Sequence, residues 1–156
     1  MAATDDDRVS LRYYAARHCS RQWVHFLAAM VAEFEERVEA AEANQFLSAI
    51  GFKMALLLPL QRCESLDDLE NDINNVLEGI DWGWVRLRED GNFIEITHGA
   101  YPAIPQDDSR SSWLAPILEG LYAGWLGQQG GEPAFTARLT GAPRGGLLTF
   151  SYGRHG

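Results

Sequence analysis

His18, Cys19, His25, Cys63, His98 and His155 are the donors with which this chain would have to hold a transition metal. Structural and catalytic zinc sites draw ligands from short, regular spacings such as an i,i+4 pair on a helix. His18 and Cys19 are adjacent. His18 and His25 fall on one side of a helix but too far apart along its axis to share one ion. No metal site and no cofactor is expected, and His25 reads as a helix-surface or interface residue. Paired carboxylates are the next chemistry to weigh, since a glycosidase needs an acid and a nucleophile flanking one cleft. Glu95 and Glu119 are conceivable partners; Asp67-Asp68 and Asp107-Asp108 read as cap or loop groups. Nothing marks any of these carboxylates as a general acid. The glycines between Gly141 and Gly146 lack the lysine and Ser/Thr of a phosphate loop, and the one lysine, Lys53, reads as a helix-surface group. No catalytic residue is assigned, and the expectation is that the chain is not an enzyme.

Aromatic side chains are the remaining candidates. Trp82, Trp84, Trp113 and Trp125, with Tyr101, Tyr122 and Tyr152, have the flat apolar faces that stack on sugar rings. Their ordinary use is in a core or a subunit interface. Trp125 is the expected packed anchor, and Trp113, beside a polar loop, is the one expected to be exposed.

The elements that position these residues follow from composition and periodicity. With 156 residues, 46% of them hydrophobic, the chain is long enough for one domain with a real core. Its net charge of -9 argues against nonspecific binding to nucleic acid or anionic membrane. A neutral polysaccharide or a basic protein remains compatible with it. The start, MAATDDDRVS, has neither the positive region nor the apolar run of a secretory signal, and no apolar run is long enough for a transmembrane segment. Cys19 and Cys63 then read as reduced thiols in the cytosol, with a single disulfide between them as the alternative.

Residues 1–10, with Asp5, Asp6 and Asp7, read as a flexible arm, and 11–156 as one folded domain. Trp23, Phe26, Leu27, Met30, Val31, Phe34, Val38 and Ala41 recur at helical spacing, predicting one helix from Ser20 to about Ala43 with a break near Asn44 or Gln45. A second helical piece covers 46–57, weakened by Gly51 unless close packing needs the missing side chain, and Pro59 ends it. Ser65 caps a third helix with the stripe Leu66, Leu69, Ile73, Val76 and Leu77, stopped at Gly79. Alternation then begins. Strands on either side of Asp90-Gly91 form a hairpin, with Ile94 and Ile96 facing one way and Phe93, Glu95 and Thr97 the other. A helix from Ser112 carries Pro116 in its first turn. Two further strands, 135–139 and 147–152, close the chain. The fold class is α/β of the α+β type: a four-stranded antiparallel sheet packed with about four helices on one face or end, in a single domain.

The segment 111–125, SSWLAPILEGLYAGW, places Leu114, Ile117, Leu118, Leu121, Tyr122 and Trp125 on one broad face that water cannot cover. Its own sheet, a second subunit, or both must cover it. With no reactive constellation beside it, self-association is the expected task. Trp23, Phe26, Met30 and Phe34 on the first helix, with Leu121, Tyr122 and Trp125, are the expected oligomer-interface residues.

Residues 79–85, GIDWGWV, and 113–122, WLAPILEGLY, followed by Trp125, resemble the bacterial cellulose synthase D-subunit family over roughly residues 20–153. The chain departs from that pattern in its Asp-rich arm and at Thr140 to Gly146. The resemblance implies a compact accessory protein without catalysis that forms dimers and then an octamer, as a tetramer of dimers. It implies partners among the cellulose synthase complex subunits. It also implies passages that guide nascent β-1,4-glucan chains past the N-terminal segments, here Arg8, Ser10, Arg12 and Tyr13. The alternative within the family is a scaffold that aligns synthase complexes, with a proline-rich accessory protein as partner. The expected place is the cytoplasmic side of the inner-membrane complex rather than the periplasm.

Overall fold

A computed structural model describes residues 7, 9, 10, 13, 14, 20–102 and 113–156. Among the described residues, helices α1 (Arg21–Arg37), α2 (Ala40–Leu57), α3 (Leu66–Gly79) and α4 (Leu114–Gln128) accompany strands β1 (Trp84–Asp90), β2 (Phe93–Gly99), β3 (Thr136–Leu139) and β4 (Leu147–Gly153). The sheet is antiparallel in the order β1-β2-β4-β3, so the two hairpins meet through β2 and β4. The expected α+β fold in one domain is what the chain adopts.

Local signals explain most of these elements. Asp90 pairs with Phe93, so the two-residue turn is Gly91-Asn92, one residue beyond the Asp-Gly pair, with Gly91 at φ 62 in its first position. Ser65 Oγ accepts from the Asp68 N–H at 3.1 Å, and Asp67 and Asp68 add favourable charge at the start of α3. Pro116 sits in the first turn of α4, where no N–H is needed.

Inward-facing Val85, Leu87, Ile96, Leu148 and Phe150 line one face of the sheet and are buried, while Arg86 and Arg88 on the other face are exposed. Helix α4 packs on the buried face, α2 packs on α4, and α1 meets α2. Helix α3 runs against edge strand β1.

Helix α4 is where expectation and structure differ most. It has no single apolar face: eleven of its fifteen residues, from Leu114 to Leu126, are buried. The sheet covers one side and α2 the other. Side chains ordinarily hold packed helices about 8–10 Å apart. At this crossing they are missing. A Cβ on Gly51 would lie 1.8 Å from the Ile117 carbonyl oxygen, and one on Gly120 would lie 1.9 Å from that of Ser48. The glycine that weakens α2 by propensity is the one that lets two backbones touch.

The first helical run also differs. It breaks at Val38 and Glu39, both extended, rather than near Asn44. No Gly or Pro marks that break, and its cause is tertiary. Phe34 and Phe46 would stand about 18 Å apart along an unbroken helix; with the break their rings stack at 5.2 Å.

Candidate functional site

Helix α1 carries Trp23, Phe26, Leu27, Met30, Val31 and Phe34 on one face, yet none of its residues is buried. Leu27 and Val31 lean on the body, and Met30 and Phe34 are half-buried. Trp23 and Phe26, 57% and 58% exposed, form an edge-to-face pair with centroids 5.8 Å apart. The uncovered surface continues onto α2, where Phe46, Phe52, Leu56 and Leu57 are exposed. Helix α2 therefore has two apolar sides. Leu47, Gly51 and Ala55 are buried, and the larger side chains point away from them. The α2 residues of this surface were not singled out from the sequence. Their signal is a helix apolar on two opposite sides, which needs two partners. Helix α4 is one; α1 meets the other side only in part, through Phe34 on Phe46.

Leu121, Tyr122 and Trp125 are corrected from interface to core. All three are fully buried within the single chain, because α2 and the sheet enclose α4. Trp125 is an anchor, donating from Nε1 to the Leu58 carbonyl at 2.8 Å. Trp113 is corrected as well: it is buried at the head of α4. Trp84 is the exposed tryptophan of the sheet, with the Arg86 guanidinium 5.8 Å from its ring centre.

Of the arm residues, Arg8 and Arg12 lie outside the described residues. Ser10 and Tyr13 are helical and exposed, and Tyr13 meets Tyr14 edge-to-face at 5.9 Å.

Glu95 and Glu119 do not flank a cleft. Glu95 is on the open face of the sheet, bound to Arg88 at 2.9 Å. Glu119 is on α4, across the sheet, and accepts from the Leu139 N–H at 2.8 Å. Asp107, Asp108, His18 and Cys19 lie outside the described residues. Cys63 is a free thiol, pushed up in pKa first by burial and then by Asp72 and Asp68. No group of three or more His, Cys, Asp or Glu among the described residues is placed to hold a metal ion, and no helix there is long and apolar enough to cross a membrane.

His98 is the buried polar residue of the core. Its Nε2–H donates to the Trp82 carbonyl at 2.8 Å, which leaves Nδ1 to accept from the Tyr122 hydroxyl. Burial outweighs that backbone bond and lowers its pKa to about 4. The unfolded imidazole takes up its proton near 6.5, before the folded one does. The stabilisation is therefore complete above pH 6.5 and is lost as pH falls towards 4. At 1.36 kcal/mol per unit it amounts to about 3 kcal/mol. Thermal melts between pH 7 and 4 are expected to show this loss, and H98Q, which retains a donor and an acceptor without titrating, is expected to flatten that part of the profile. An unchanged slope in H98Q would assign the acid sensitivity elsewhere.

A family model for the D subunit of cellulose synthase matches residues 9–153. A cellulose synthase operon protein D of Komagataeibacter xylinus is 31% identical over 109 residues, covering 68% of this chain and 70% of the relative. A second protein of that name and organism is 32% identical over the same shares, and one from Komagataeibacter sucrofermentans is 30% identical, again over those shares.

Proposed function

Because the chain belongs to the cellulose synthase D-subunit family, we propose that it is a non-catalytic accessory subunit of bacterial cellulose synthesis. Copies assemble through α1 and α2 into an octamer, a tetramer of dimers, beside the synthase complex on the cytoplasmic side. The assembly holds nascent β-1,4-glucan chains close enough to align for export and crystallisation. One observation carries this reading: α1 has an apolar face and no buried residue. Such a face is stable in water only when something outside the chain covers it.

Guiding requires weak contact, since a guide that grips cannot release. The arm suits that role, with Arg8, Ser10, Arg12 and Tyr13 touching glucan and residues 11–156 forming the folded unit. A second reading is a scaffold that aligns synthase complexes through protein contacts alone. The exposed Trp23–Phe26 pair favours it, because solvent-facing aromatics are what proline-rich segments dock against.

Light scattering of the purified full chain at micromolar concentration is expected to give a mass well above the 17.4 kDa monomer. A clean monomer would overturn the assembly reading. Titration with cello-oligosaccharides followed by NMR separates the two roles. Shifts confined to the arm support guidance; no shifts, together with capture of a synthase component, support the scaffold.

A further inference from the structure

A sheet with free edges recruits strands from other molecules, because an edge presents a row of unpaired N–H and C=O groups. The danger is greatest for a chain that works among many copies of itself, which is the one point where this inference rests on the assembly reading. The strand order puts β1 and β3 at the two edges. Along β1, the groups that face outward are those of Val85, Leu87 and, by the two-residue alternation, Glu89.

Helix α3 covers the first part of that edge with side chains rather than backbone. Asn74 Nδ2 donates to the Val85 carbonyl at 2.9 Å, and Asn74 Oδ1 accepts from the Val85 N–H at 2.8 Å. One amide thus reproduces both bonds that a neighbouring strand would offer. One turn earlier, Glu70 Oε2 accepts from the Leu87 N–H at 2.7 Å. Asn is an indifferent helix former, and its place in the middle of α3 is explained by this pairing. At the opposite edge β3 is only four residues long, and Glu119 of α4 takes its Leu139 N–H at 2.8 Å.

We propose that Asn74 and Glu70 are edge guards: they occupy both strand-pairing groups of Val85 and the N–H of Leu87 so that a second copy cannot add a strand along β1, which confines contact between copies to the helical face.

The test uses the full chain, N74A and E70A/N74A. Amide exchange at Val85 and Leu87 is expected to quicken about tenfold in E70A/N74A, the effect of one lost hydrogen bond per group. Light scattering over a dilution series is expected to show a heavier, concentration-dependent species absent from the unsubstituted chain. Adding E89P, which removes an outward N–H without touching the β1–β2 ladder, is expected to abolish that species. Faster exchange with a mass distribution identical to the parent would overturn the proposal. So would a heavy species that survives E89P. If E70A/N74A loses its fold by circular dichroism, N74A alone carries the same comparison. The readout is a difference from the parent, so it holds whatever mass the parent has, and a monomeric parent would count against the assembly reading alone.

Discussion

Gly51→Ala is expected to cost about 3 kcal/mol or more, because overpacking of 1–3 kcal/mol is typical where side chains can yield and here the obstacle is backbone. The added methyl would sit 1.8 Å from the Ile117 carbonyl oxygen and 2.8 Å from the Leu121 nitrogen. Relief requires α2 and α4 to separate. That separation would also strain the anchors along the same interface, where Trp125 Nε1 donates to the Leu58 carbonyl and Gln128 Nε2 to that of Ala55. Gly120→Ala, aimed at the Ser48 carbonyl from the other helix, is expected to do the same. For a chain of this size such a loss lowers the melting temperature by roughly 10 °C. Gly127→Ala is the control: it lies in the same α4, and a Cβ there meets nothing within 4 Å. Helix propensity alone then acts, and a gain of up to about 1 kcal/mol is expected. Urea or thermal melts of the three variants read all of this. A Gly51→Ala protein as stable as its parent would show that the two helices are not held backbone to backbone.

What was legible in the sequence was whatever local chemistry dictates. The Ser65 cap, the hairpin turn through Gly91 and the alternation through Ile94 and Ile96 each have a cause within a few residues, and each lies where expected, although the turn itself is Gly91-Asn92 rather than Asp90-Gly91. What was not legible depends on which element covers which. The apolar residues of α4 look like a face in need of a partner, and the partner turns out to be the same chain on both sides. Leu121, Tyr122 and Trp125 therefore moved from interface to core. The unmet need moved outward to α2, whose Phe46, Phe52 and Leu56 stay more than half exposed although Phe46 stacks on Phe34 and the Phe52 ring lies beside Gly124. Gly51 was readable as a weakness or as a contact, and only Ile117 across the gap decides between them. The break at Val38 has no local cause at all; the stacking of Phe34 on Phe46 accounts for it.

The relocated face gives the sharpest test of function. W23E/F26E is expected to collapse the assembly while leaving the fold alone. Both side chains are more than half exposed in the single chain, so charging them removes no intrachain core and should change monomer stability by no more than about 0.5 kcal/mol. In an assembly the same positions become buried aromatic anchors, each worth about 2 kcal/mol or more when truncated, or roughly 30-fold in dissociation constant apiece. Introducing carboxylates adds the cost of burying charge, so assembly at micromolar concentration is expected to disappear. Light scattering reads the mass directly. Melting gives an independent readout, because subunits that stabilise one another make the melting temperature rise with protein concentration. That dependence is expected in the parent and absent in W23E/F26E, while the two should melt alike at high dilution. Leu121→Ala offers the contrast: it should lose about 2–5 kcal/mol at every concentration, as a core cavity does. If W23E/F26E keeps the parent's mass, the uncovered face of α1 is not where copies meet, and the case for assembly through it falls.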